Sequence, residues 1–90
     1  MTKHPSAQKR HRQSIKRQVR NLAIRSRVRT FVKRVRESVD ARNTAEATER
    51  LKSAARAIDK AVTKGVLHRN TASRKISRLT RAVRSLAASS

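Results

Sequence analysis

The side chains in this sequence that could do chemistry are overwhelmingly cationic. Lys and Arg number 25 in 90 residues, against five Asp and Glu, giving a formal net charge of +20. No acid precedes Glu37, so Lys3, Lys9, Arg10, Arg12, Lys16, Arg17, Arg20, Arg25, Arg27, Arg29 and Lys33 lie in a stretch without counter-charge. Lys64, Arg69, Arg74, Lys75 and Arg78 form a second such region after Asp59. A compact body this basic repels itself and calls for a polyanion. Guanidinium forks hold phosphate oxygens in pairs and do not deprotonate at cellular pH. The pattern therefore points to nucleic acid gripped through its backbone.

Other chemistries find little support. His4, His11 and His68 are scattered and lack zinc-ligand spacing. Glu46 and Glu49 are better placed to cap a helix than to exchange protons. No serine has a base and an orienting partner, and one glycine cannot build a phosphate loop. There is no cysteine, which removes disulfides and thiolate metal sites. No enzyme, cofactor, metal or small-molecule substrate is implied. No apolar run approaches the roughly 20 residues that cross a bilayer, and no apolar stretch follows the basic start as a signal peptide requires. A membrane-surface helix would need large apolar side chains opposite its charges, which the stretch before Ile15 lacks. No membrane partner is expected, and the expected location is the cytoplasm.

The basic residues need elements to position them. Gly65 and Pro5 are the only Gly and Pro, which favours long helices over a disordered tail. Three are predicted, over residues 7–42, 44–64 and 71–87, with Ser6 as the first cap. The first would be about 35 residues, or about 50 Å. Ile15, Val19 and Leu22 start an apolar stripe on it, which Ile24, Val28, Phe31, Val32, Val35 and Val39 continue along one broadened face. Asn43 with Glu46 reads as a capping box opening the second helix, whose stripe is Ala47, Leu51, Ala54, Ala55, Ile58 and Val62. Gly65 stops it in a left-handed conformation, and Val66 or Leu67 folds back on the last turn. Asn70 caps the third helix, lined inside by Ala72, Ile76, Leu79, Val83 and Leu86, with residues 87–90 fraying. Short connections make neighbouring helices antiparallel. The fold is all-α: a three-helix bundle over residues 15–87 with a long, projecting basic N-terminal helix. Residues 1–14 form a basic extension with nothing to bury, frayed when free and helical on RNA.

Phe31 is the sole aromatic and belongs to the core. With no stacking platform, the protein should read the backbone and shape of paired segments rather than splayed bases. Composition does not separate RNA from DNA, and a basic helical DNA-binding protein is the alternative.

A family resemblance separates them. Asn21, followed by Arg25-Ser26-Arg27-Val28-Arg29-Thr30-Phe31-Val32-Lys33-Arg34-Val35, resembles the central signature of the bacterial small-subunit ribosomal protein number twenty family. Lys64-Gly65-Val66-Leu67-His68-Arg69-Asn70-Thr71-Ala72-Ser73-Arg74 is similar to that family's second signature, with Arg78-Leu79 after it. Ser6-Ala7, Lys9-Arg10 and Lys16-Arg17 fit its start, and the resemblance runs nearly end to end. Pro5 and Ile76 depart from it, standing where the family usually has lysine. Residues 44–63 match in pattern only.

The resemblance implies a constituent of the small ribosomal subunit that binds 16S ribosomal RNA directly and braces it during assembly, with few or no protein neighbours. By position it assigns RNA contacts to Lys9, Arg10, Lys16, Arg17, Asn21, Arg25, Ser26, Arg29, Thr30 and Lys33, and to Lys64, His68, Arg69, Asn70, Arg74 and Arg78. Lys3, Arg12, Arg20, Arg27 and Lys75 join them on charge.

Overall fold

The computed structural model describes residues 5–89. They form three helices: α1 (Pro5–Asp40), α2 (Thr44–Thr63) and α3 (Arg69–Ser89). Each packs on both others, α1 most extensively on α2. The bounds differ by one or two residues from those expected. Ser6 lies inside α1 rather than capping it, since Pro5 is tolerated in a first turn where no intrahelical donor is needed. α3 runs on to Ser89 in place of a frayed tail after residue 87.

A repeating four-three spacing builds the bundle. Ile24, Val28, Phe31, Val35 and Ser38 follow it on α1, and Ala47, Leu51, Ala54, Ile58 and Ala61 on α2. Ala72, Ile76, Leu79, Val83 and Leu86 do so on α3. Such a repeat keeps one seam of each helix facing its neighbours. Most of these side chains are buried, with Ile24, Phe31, Leu51 and Ile76 packed around them. Alanine at three buried positions of α2 lets its neighbours approach closely. The sequence stripe omits Ala61, which is fully buried.

One expectation fails here. Ile15, Val19 and Leu22 do not join the core; they are 46%, 62% and 64% exposed. The step from Leu22 to Ile24 is two residues, about 200° around a helix, so the apolar face switches sides between them. The two stripes are separate faces of α1. Packing therefore begins near Asn21 and Ile24, and residues 7–20 stand clear of the bundle with every side chain exposed. This projection accounts for extents of 70 × 22 × 14 Å and a radius of gyration of 18.1 Å, against about 12 Å for a compact chain of this length.

Local chemistry closes both connections. After α1 the chain turns at Arg42 in the left-handed region (φ 56°). The Arg42 N–H donates to the Val39 carbonyl and the Asn43 N–H to the Ser38 carbonyl, both at 3.0 Å, which is a Schellman ending. Asn43 then opens α2. Its Oδ1 accepts the Glu46 N–H at 3.1 Å and its Nδ2 donates to the Glu46 carboxylate at 3.0 Å. The same ending recurs at Gly65 (φ 74°), with Gly65 N–H to Val62 at 2.9 Å and Val66 N–H to Ala61 at 2.9 Å. Val66 is buried there, as the hydrophobic closure of this motif requires.

Arg42 is the less suitable of the two turn residues, since a Cβ in the left-handed region costs about 1–2 kcal/mol. Arg42→Gly should therefore stabilise the fold by up to about 1 kcal/mol, raising Tm by about 4–8 °C in a domain this small. A Tm that stays put or drops would mean that the turn is not left-handed in solution.

Across the α1–α2 interface the Arg50 guanidinium ion-pairs with Glu46 and donates to the Arg34 carbonyl at 3.0 Å. The Ser38 hydroxyl, the buried polar group of the seam, donates to that same carbonyl at 3.1 Å. In its partly solvated position the Arg50 bond contributes about 0.5–1.5 kcal/mol. It fixes the register of α2 against the basic half of α1.

Candidate nucleic-acid interface

The basic residues fall into regions defined by the fold. On the projecting part of α1, Lys9, Arg10, Arg12, Lys16, Arg17 and Arg20 are all exposed, with no carboxylate among residues 7–20. Residues 7–14 belong to the extension expected to order on RNA and are helical here, and none of the helical stability of residues 7–20 comes from packing. Lys3 lies outside the described residues.

Further along α1 the bundle begins, and the expected contact residues Arg25, Ser26, Arg27, Arg29, Thr30 and Lys33 remain exposed. Lys33 lies 4.0 Å from Glu37, but both side chains are largely in solvent. Such a pair holds the lysine weakly and a phosphate would displace it. The Thr30 hydroxyl donates to the Ser26 carbonyl at 3.0 Å, leaving its oxygen free to accept. Asn21 sits one step beyond Ile24 on the four-three seam and is half-buried. Its Oδ1 is shielded and without a hydrogen-bond partner.

Two grooves bring separate helices together. Between α1 and α2, Arg27, Arg56, Lys60 and Lys64 surround Ile24, Phe31, Ser53 and Ala57. Between α1 and α3, Arg29, Lys33, Arg36 and Lys75 lie over Val28 and Val32. The first unites Arg27 with Lys64, far apart in sequence, and adds Arg56 and Lys60, which sequence reasoning missed. Their signal is present as a run at positions 56, 60 and 64 on one helical face, obscured by Asp59 alongside. Arg36 is likewise a missed residue, hidden by its neighbour Glu37.

Phe31 packs against the core as expected, but it is only half-buried. It does so from the groove side, and the guanidiniums of Arg27 and Arg34 each lie 5.7 Å from its ring centroid. At an exposed site each contact is worth about 0.5–1 kcal/mol. They hold two cations in place at the groove, so the ring positions guanidiniums and does not present a free face to bases.

At the α2–α3 junction, the cap differs from expectation. α3 starts at Arg69, with Asn70 already in its first turn, and His68 caps it. The Asn70 N–H donates to His68 Nδ1 at 3.1 Å, and the His68 carbonyl accepts from Ala72 N–H at 3.0 Å. An accepting Nδ1 places the ring proton on Nε2. The exposed imidazole therefore caps the helix with one nitrogen and offers a donor to solvent with the other. Arg69, Asn70, Arg74, Lys75 and Arg78 are exposed along the first half of α3 that follows it. No acid occupies the first turn of α3, so the positive end of that helix adds to the local field.

The acids are concentrated on the far half of the bundle, where Glu46 pairs with Arg50 and Glu49 lies 3.5 Å from Lys52. Among the described residues no group of His, Asp and Glu is placed to hold a metal ion. No described helix is long and apolar enough to cross a membrane. The geometry thus leaves cations accessible on α1, in two inter-helix grooves and at the start of α3.

Comparison with known proteins bears on what meets this surface. A family model described as ribosomal protein S20 matches residues 2–84. The small ribosomal subunit protein bS20 of Geobacter metallireducens is 52% identical over 86 residues, covering 96% of this chain and 99% of that protein. The protein of the same name from Maridesulfovibrio salexigens is 49% identical over 87 residues, covering 97% of this chain and 100% of that one. Its counterpart from Helicobacter pylori is 48% identical over 87 residues, covering 97% of this chain and 98% of that protein.

Proposed function

Because the chain belongs to the ribosomal protein S20 family, we propose that it is a structural constituent of the small ribosomal subunit, binding 16S ribosomal RNA through backbone phosphates and bracing that RNA during assembly. The observation that carries this reading is the placement of charge. Cations without counter-charge cover the projecting part of α1 and the α2–α3 junction, on exposed side chains. A helix reaching about 20 Å beyond its bundle touches RNA segments that the bundle alone could not span, and so holds them together.

Each group has a role. Lys9, Arg10, Arg12, Lys16, Arg17 and Arg20 neutralise phosphates along the projection. Arg25, Arg27, Arg29 and Lys33 do so where α1 joins the bundle, with Asn21, Ser26 and Thr30 as neutral hydrogen-bonding groups between them. Lys64, His68, Arg69, Asn70, Arg74, Lys75 and Arg78 form the second cluster, where His68 Nε2–H can donate to a phosphate oxygen. Lys3 belongs with the first group on charge. The extension over residues 1–14 gains its stable helical form on RNA, which supplies the counter-charge that its own residues lack. Its location is then that of the ribosome, in the cytoplasm. Few protein neighbours are expected, since the basic surfaces are taken up by RNA.

A filter-binding competition tests the choice of nucleic acid. Small-subunit ribosomal RNA should hold the labelled protein against at least a tenfold excess of duplex DNA at moderate salt. Equal competition by the duplex would return the reading to a general DNA-binding protein.

A further inference from the structure

The outer face of α1 carries an apolar seam that the bundle does not use. Ile15, Val19 and Leu22 are the large apolar side chains the fold leaves exposed. Successive residues advance about 100° around a helix. On that basis they cluster within about 60° of one another, roughly 180° from the seam through Ile24, Val28, Phe31 and Val35. Ser26 and Thr30 lie on the same outer face, so a neutral strip runs from Ile15 to Thr30. Charges border it on both sides, with Lys16 on one and Arg25 and Arg29 on the other.

Three β-branched or leucyl side chains in water gain nothing for the free protein, and nothing among the described residues buries them. What would cover them is set by their borders. A second copy would press like-charged edges together on a chain of net charge +20. An A-form RNA helix has the matching profile. Its minor groove is wide and shallow and presents riboses and 2′-hydroxyls, with a row of phosphates along each side.

We propose that this face of α1 lies in the minor groove of a paired RNA segment. Ile15, Val19 and Leu22 pack on ribose carbons, and the hydroxyls of Ser26 and Thr30 meet 2′-hydroxyl groups. The bordering lysine and arginines reach the phosphate rows. The inference rests on the RNA-binding reading above and adds to it which groove is occupied and by which side chains. It divides the labour: charge gives the salt-dependent part of the affinity and the seam a salt-independent part.

That division can be measured. In the full chain, Ile15→Ala, Val19→Ala and Leu22→Ala are combined, and binding to small-subunit ribosomal RNA is titrated at several salt concentrations. All three residues are exposed and alanine is the better helix former, so the variant should fold and α1 should not weaken. Affinity should fall at least tenfold at every salt, with the slope of log affinity against log salt unchanged, because no counterion is involved. If the native chain binds and the variant matches it within twofold, the seam does not meet RNA, while the RNA-binding reading stands. A flattened slope would also overturn the proposal, since the loss would then lie in phosphate contacts. If the native chain itself ignores the RNA, both readings fall together.

Discussion

Leu79→Asp should abolish the cooperative thermal transition and most of the helical circular dichroism of the free protein. Leu79 sits mid-way along α3 at 3% exposure, in the cluster that contains Val35, Ala54 and Ile58. Removing its side chain forfeits about 1.5–3 kcal/mol of burial. An unpaired carboxylate in its place costs several kcal/mol more, or must protonate. A domain of this size, with a core of valine and alanine, has stability near the low end of about 5–15 kcal/mol, so the two losses together consume it. Leu79→Ala separates them. It should still fold, destabilised by about 2–5 kcal/mol. Ser77→Asp, at an exposed position of the same helix, should change stability by no more than about 0.5 kcal/mol. A full cooperative melt in Leu79→Asp would mean that α3 presents a different face to the bundle.

How much of this fold is legible in the sequence depends on how local the controlling interaction is. Asn43 with Glu46, and Gly65 with Val66, end and start helices through bonds among residues a few places apart, and they read directly. α3 carries one clean apolar face and its inner residues read correctly; on α2 the stripe reads correctly up to Ile58 but misses the buried Ala61, next to the more apolar Val62. α1 misleads because its apolar residues are dense enough to look like one wide stripe. The two-residue step from Leu22 to Ile24 shows the change of face only when the angles are followed. Only the observed burial shows which face meets α2 and α3. Arg42 in a left-handed turn has no sequence signal, since glycine and asparagine usually mark that conformation. His68 as a cap is equally silent, because histidine is not among the preferred capping residues.

The candidate site divides in the same way. Surplus charge is a property of composition and needs no structure to find. The grooves that join Arg27 to Lys64 and Arg29 to Lys75 depend on packing across helices, so Arg56, Lys60 and Arg36 come to notice only in three dimensions. The unpartnered Asn21 Oδ1 is another such case. Nothing at the level of the chain distinguishes an asparagine at the end of a bundle seam from one on an open helical face.

Replacing Lys16, Arg17 and Arg20 together by glutamine should move two observables in opposite directions. In the free protein these side chains are exposed and have no acid nearby. Arg12–Lys16, Lys16–Arg20 and Arg17–Arg20 are like-charge pairs at helical spacing, each costing about 0.2–0.5 kcal/mol. Removing them should raise amide protection over residues 7–20, where no packing masks the effect. On RNA the same charges are what binds. Using the duplex-DNA value as a guide, each phosphate contact contributes about 0.9 to the salt slope, so three lost contacts flatten it by up to about 2.7. Relative to binding at 1 M salt, that is a loss of about 500-fold at 0.1 M. Together these results would say that the projecting helix trades its own stability for affinity, with RNA supplying the missing counter-charge. Weaker binding with lower protection would instead mean that the substitutions disrupt the helix, and an unchanged slope would place the phosphates elsewhere on the protein.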